Sequence, residues 1–581
     1  MGTRVMAPTT RPSRCAYTPA SPTARCARPR RSSALAALVT LWAAGCGQTT
    51  KPPGGEPDTA ASEAEKDRAV ALLSRLSLDL AGHRPTLADL RAVEADPRAL
   101  DAIVDGYLTS PDFGMVYAER QAGVWLTPLN EADFDQAAYP MEDELAVLRA
   151  FGEEPLRILA EIADHDLPYT DLVMADWTMA NDFLARHYPT DYPEGAEGWR
   201  RVQWTDGRPA AGVLATNGFY WRYDSTQANA NRGRANAVSR ILTCRDYLDS
   251  VIEGDRDLNL LDEEAVNNAL RTDAACVTCH ASLDPVAAYF WGFYNHFSFS
   301  PAEQSSYHAE REPLWQVYSG VAPGWYGAPG DGLRDLGYQI ASDPRFIDCA
   351  VERAVEQLLD RPAHLADTEA LVIHREAFIQ GGLTLRALVG SVIEDPAYAA
   401  GLPGSADQLP RDLDPARTPG LRQMRSTQLG RTLEDLTGFR LVEGGLDVLH
   451  TDLYGLRSLS GGLGPAWDAE QVVEPTTTGV LVQRRLAEAA AAVAVAADLR
   501  SDTPRLLPPA AASMQADAPA LGSALVDLHL RLHGKRHTPS DPEIESLVAL
   551  YAEVMSLTED TSVAWTAVLT AMLRDPDFLM Y

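Results

Sequence analysis

The stretch Cys276-Val277-Thr278-Cys279-His280 constrains this chain more than any other. It has the form C-x-x-C-H. Two thiols at that spacing can add to the two vinyl groups of a haem, and the next residue, His280, then stands under the iron as its proximal ligand. Cys276 and Cys279 are therefore expected to hold one haem c covalently, with His280 on the metal. Two other uses of the pattern stay open: a redox or structural disulfide between the thiols, and half of a zinc site. Zinc needs about four ligands, and no second C-x-x-C accompanies this one.

The N-terminus points to the compartment. Residues 1–45 hold seven Arg and neither Lys nor acid. Arg25, Arg28, Arg30 and Arg31 flank a short apolar run, Ala34 to Ala44, which is too short to span a bilayer as a helix. Ala43-Ala44-Gly45 then precede Cys46. The pattern resembles a bacterial lipoprotein signal, which implies that Cys46 carries lipid and anchors the mature chain to a membrane. In that resemblance Gly47, standing where Asp could, favours the outer membrane. The remaining cysteines then sort. Cys15 and Cys26 fall in the signal, and Cys244 and Cys349 are left as an even pair in an oxidising compartment. A disulfide between them is expected, closing a loop around the haem segment; the alternative is two buried free thiols.

From Cys46 onward 43 basic residues face 81 acidic ones. Such a surface makes nucleic acid an unsuitable partner and suits a basic redox protein, although acidity also serves solubility alone.

Periodicity is helical almost throughout, and the fold class expected is mainly α, a multi-domain helical protein with long loops. Residues 46–62 read as a flexible tether. Helical domains are expected over 63–200, a haem-binding segment over 201–317, a further helical domain over 318–401, a Pro- and Gly-rich linker over 402–419 and a C-terminal helical domain over 420–581. In the first helix Val70, Leu72, Leu73, Leu76, Leu78 and Leu80 make an apolar face with Arg75 and Asp79 beside it. One helix-ending pattern recurs, in which a polar residue and Pro are followed two residues on by an aromatic: Ser110-Pro111-Asp112-Phe113, Asp343-Pro344-Arg345-Phe346, Asp395-Pro396-Ala397-Tyr398 and Asp575-Pro576-Asp577-Phe578. Residues 318–333 read as a loop and 501–519 as a linker. His529, His533 and His537 could bind a metal from one helix, but Arg531, Lys535 and Arg536 among them favour an exposed basic face.

Around the C-x-x-C-H motif the neighbourhood resembles a known family. Val213-Leu214-Ala215-Thr216-Asn217-Gly218-Phe219, then Asn231-Arg232-Gly233-Arg234, then Cys276–His280 with Asp284-Pro285, are similar to the planctomycete-type cytochrome c proteins, exported and built from domains of unknown function. Arg75–Leu80 with Pro85-Thr86, Leu167–Tyr188 and Phe346–Tyr398 extend the resemblance over roughly residues 65–400. It implies one covalent haem and no particular reaction. Leu283 stands where that family usually has Met.

The sixth iron position decides between carrier and catalyst. Candidate distal ligands are His296, His308, His364 and His374 downstream and Met174 and Met179 upstream, of which His296, in an aromatic stretch, ranks first and Met179 second. The leading expectation is an exported c-type haem lipoprotein in electron transfer at the cell envelope. The alternatives are a haem enzyme of peroxidase or oxygenase type with an open distal site, and a non-haem surface lipoprotein whose C-x-x-C is a disulfide. Motifs for nucleophilic or phosphate chemistry are missing from the sequence.

Overall fold

In a computed structural model the chain is described over residues 61–127, 144–226, 228–249, 259, 261–293, 305–402, 422–451, 455–461 and 476–581. The signal, Cys46 and His296 lie outside these residues. The architecture is mainly α, with three short antiparallel strand pairs. None of the described helices is long and apolar enough to cross a membrane.

The first helix, Glu63–Leu80, starts on a capping box in which Ser62 and Glu65 exchange hydrogen bonds. Its apolar side packs as the periodicity predicts, but Arg75 and Asp79 do not lie at the edge of that side: both are fully buried. Asp79 accepts from the Tyr398 hydroxyl at 2.7 Å, the Tyr581 hydroxyl at 3.0 Å and Arg422 Nη1 at 2.9 Å, and it is also paired with Arg120. Burial alone would push its carboxyl up. Arg120 and Arg422 outweigh that and hold it below the ordinary carboxylate range. Arg75 donates to the Tyr398 and Ala400 carbonyls, and Arg84 to those of Asp577, Phe578 and Met580.

Two large cores meet at this junction. One is built from residues between Leu76 and Tyr398, the other from Leu78 and residues between Met424 and Tyr581. The recurring Pro-aromatic ending is a shared physical device. Phe113, Phe346, Tyr398 and Phe578 each close a backbone turn onto the residue three before, and all four rings are buried. In the three Asp-Pro copies the Asp side chain caps the N–H two residues on. Two of the four copies, at Tyr398 and Phe578, end on the Asp79–Arg84 junction.

A second buried carboxylate organises the first core. The long helix Glu144–Asp164 contains Pro155, which cannot donate to the Phe151 carbonyl four residues back. Gly218 packs against that carbonyl so closely that a Cβ there would stand 1.8 Å from the oxygen, so no other residue fits. The neighbouring Glu154 is fully buried. It accepts from Thr178 and Tyr188, both at 2.8 Å, and from the Gly218 N–H at 3.3 Å. It thereby ties the helix to the strand Trp177–Ala180 and to the helix Asn217–Arg222. Burial is the largest influence on its carboxyl and raises it to about 7.

Elsewhere the structure departs from the sequence reading. Residues 501–518 are packed rather than a free linker: Asp498 receives the N–H groups of Arg505, Leu506 and Leu507, and Leu507 and Met514 enter the second core. The loop around 318–333 holds a tight hairpin, Gly324–Trp325 against Ala328–Pro329, turned by Tyr326 and Gly327 at positive φ.

Because Asp79 is surrounded by donors without access to water, Asp79→Ala should cost ~3–5 kcal/mol by leaving Arg120 and Arg422 unpaired. The fall in the chemical-denaturation midpoint against wild type measures it.

Candidate functional site

Cys276, Cys279 and His280 lie on the helix Ala274–Ala287, which opens on Asp273 as N-cap. At about 100° per residue, Cys279 and His280 fall about 60° to one side and about 40° to the other of Cys276, so all three share one flank. Further along the helix Leu283, Val286 and Ala287 fall about 20°, 80° and 20° from Cys276, so the same side runs on into the first core, where all three are buried. Leu283 thus lies in line with Cys276, two helical turns on, at the edge of the core.

Cys276 and Cys279 are free thiols, partly exposed and not bonded to one another. Burial, Asp273 and Cys279 raise the Cys276 thiol above its ordinary range. That is opposite to the lowered value on which redox-active C-x-x-C pairs depend.

His280 lines an open groove of about 260 Å³ together with Val277, Ala281 and Asp284 of the same helix. Asn267 and Leu270 of the preceding helix, Glu263–Thr272, form one wall, and Ser319 and Val321 another. The volume falls below the ~300–1,000 Å³ of an enclosed ligand pocket. The His280 ring is fixed by its own helix: Nδ1 donates to Asp284 Oδ1 at 2.8 Å, one turn on. Asp284 is in turn clamped by Arg232, whose Nε reaches Oδ1 at 2.8 Å and whose Nη2 reaches Oδ2 at 3.2 Å. Burial pushes the Asp284 carboxyl up, but its bonds to His280 and Arg232 hold it below the ordinary range. With Nδ1 engaged as donor, the lone pair of the ring is on Nε2, which has no hydrogen bond among the described residues.

Arg232 opens the helix Arg232–Thr243, whose other end is stapled. Cys244, the next residue, takes a left-handed backbone conformation and bonds to Cys349 with an S–S distance of 2.07 Å. Cys349 lies in the helix Pro344–Leu359, so the disulfide encloses the groove-bearing helix within its loop, as expected from the cysteine count.

The candidate distal ligands do not gather here. Met179 is buried in the strand Trp177–Ala180 and is not among the described residues lining the groove. The described part of the aromatic stretch is core, with Phe293 stacked on Tyr220 at 3.9 Å. His374 is buried against Ser391 and Asp395.

The three C-terminal histidines overturn the reading of an exposed basic face. The helix Pro519–His533 stops at Gly534, and His529 and His533 are buried. The His529 ring sits 4.3 Å from those of His533 and His537, edge to face. Arg531 turns away to Asp435, and Arg536 to Glu63, Asp67 and Glu94. Among the described residues no group of three or more His, Cys, Asp or Glu side chains is arranged to hold a metal ion. Burial, then the other two imidazoles, lower His529 to about 3; burial and Arg84 lower His533 to about 4.

Residues 57–211 match the model of a protein family of unknown function, PSCyt2 (DUF1549), a domain associated with planctomycete cytochromes c. The match covers the first helix with Asp79, and Glu154 with its strand, and ends before the groove. No curated protein and no solved structure matches the chain.

Two outcomes are expected. Replacing Cys244 and Cys349 together by Ser removes a cross-link over 105 residues and should lower stability by ~4–5 kcal/mol on chain-entropy grounds, measured by denaturation with and without reductant. Acid should destabilise through the histidine cluster. Both rings titrate below the unfolded value near 6.5, so their contribution is complete above about pH 6.5 and is lost as the pH falls toward 4 and 3. A Tm series over that window should fall, and His533→Gln, which keeps a donor for the Met572 carbonyl, should flatten the fall.

Proposed function

We propose that this chain is an exported c-type haem protein that transfers electrons at the cell envelope, held to the membrane by lipid on Cys46. The observation that carries the reading is the shared flank of Cys276, Cys279 and His280, with the His280 imidazole lining an open groove, fixed through Nδ1 and with its Nε2 unengaged among the described residues. Two free thiols at this spacing suit thioether attachment, and the small groove suits a ring left partly at the surface. A bound haem c would supply one-electron exchange between ferric and ferrous iron. The chain's own part is to hold the group covalently through the thiols, to present Nε2 to the metal and to keep Nδ1 bonded to Asp284.

Cys46 and the tether as far as residue 60 lie outside the described residues, and the lipid anchor rests on the sequence pattern. The acidic balance supports a basic redox protein as partner, and the N-terminal signal pattern supports the cell envelope, periplasm or outer membrane, as location. A second reading, a haem enzyme with an open distal side, has one observation in its favour. Apart from His280, no described residue lining the groove carries an imidazole or a thioether.

The test is the visible spectrum, oxidised and reduced, of the full chain exported from a host with haem-attachment machinery. A covalent c-type spectrum that is lost in the Cys276→Ala/Cys279→Ala variant is expected. A colourless wild type overturns the reading. A six-coordinate low-spin state supports the carrier, and a five-coordinate high-spin state the enzyme.

A further inference from the structure

We propose that Asp284, gripped by Arg232, is a positioning residue that fixes the tautomer of His280 and strengthens its Nε2 as an iron donor, setting a low reduction potential. The inference rests on the covalent-haem reading and concerns the other side of the imidazole. Asp284 Oδ1 accepts from His280 Nδ1 and from Arg232 Nε, both at 2.8 Å, and Oδ2 accepts from Arg232 Nη2 at 3.2 Å. All three side chains line the same groove. Asp284 is only 9% exposed, so water competes weakly for its oxygens.

A carboxylate accepting from Nδ1–H leaves one tautomer, with the lone pair on Nε2. It also draws the proton toward itself and pushes electron density onto the ring, which raises the basicity of the ligating nitrogen. A more basic ligand favours the higher charge of ferric iron and lowers the potential. Arg232 acts in the opposite sense: its two bonds draw charge out of the same carboxylate and moderate that push. The arginine is itself held in place. It opens the helix Arg232–Thr243, whose far end is joined to Cys349 through Cys244. The potential is therefore set by one acid and one base of opposed effect, both on helices anchored in the first core.

The experiment is a spectroelectrochemical titration of the haem-loaded full chain. Asp284→Asn should raise the potential by at least the equivalent of a ~tenfold change in the oxidation equilibrium, ~59 mV for a one-electron couple. Arg232→Gln should lower it. Asp273→Asn is the control: Asp273 caps the same helix through the Ala275 N–H, Asn caps equally well, and the change removes a charge without touching His280. A shift in Asp284→Asn no larger than that of the control overturns the inference while leaving the haem reading intact. So does an Arg232→Gln potential that stays level or rises, and that variant decides alone if Asp284→Asn does not accumulate. A wild type without haem overturns the underlying reading and this inference with it.

Discussion

One fully buried carboxylate joins the two cores. Asp79 receives guanidinium groups from the helix Phe113–Trp125 and from residue 422, and hydroxyls from residues 398 and 581. A buried charge is costly unless its lone pairs are filled, and here four donors from four separate parts of the chain fill them. The buried arginines around it exceed the acids, and backbone carbonyls supply the missing acceptors: Arg75 at Tyr398 and Ala400, Arg84 at residues 577–580. The geometry of the junction is thus specified by backbone ends as well as by side chains, which makes it intolerant of shifts in either core.

The groove uses the same chemistry at smaller scale. A carboxylate again collects an arginine and a second donor, but here the donor is an imidazole with its other nitrogen left over. The helix that bears it is packed into apolar core over its second half and restrained through the stapled helix next to it. A rigid support beside a partly open face is what the proposed electron-transfer site would need, because a shift in ligand geometry would change its energy at every turnover.

What could be read from the sequence was what is local along it. The C-x-x-C-H flank is five consecutive residues, and the first helix and the Asp-Pro caps are each decided within one or two turns. Asp284 was within reach as an acid one helical turn after His280, though its pairing with Arg232 joins residues 52 positions apart and leaves no local trace. Arg75 and Asp79 read as the polar border of an apolar face because nothing nearby shows that residues 120, 398, 422 and 581 will enclose them. His529 and His533 were misjudged for a related reason. The arginines beside them looked like a solvated face, but each leaves the helix surface for an acid on a distant segment, and the imidazoles stay underneath. Residues 501–519 look like a linker by their Pro and Ala content, and it is Asp498, capping three successive amides, that turns them into packed chain.

The Tyr581 hydroxyl on Asp79 bridges 502 positions of sequence. Residue 79 leaves a ribosome or a translocation pore long before residue 581 does. Until then, Asp79 and its arginines form an incomplete charge cluster that resists burial, and the seam between the cores stays open. Closure of the junction is therefore a late event that follows delivery of residue 581, and the first helix waits, partly solvated, for a partner made hundreds of residues afterwards.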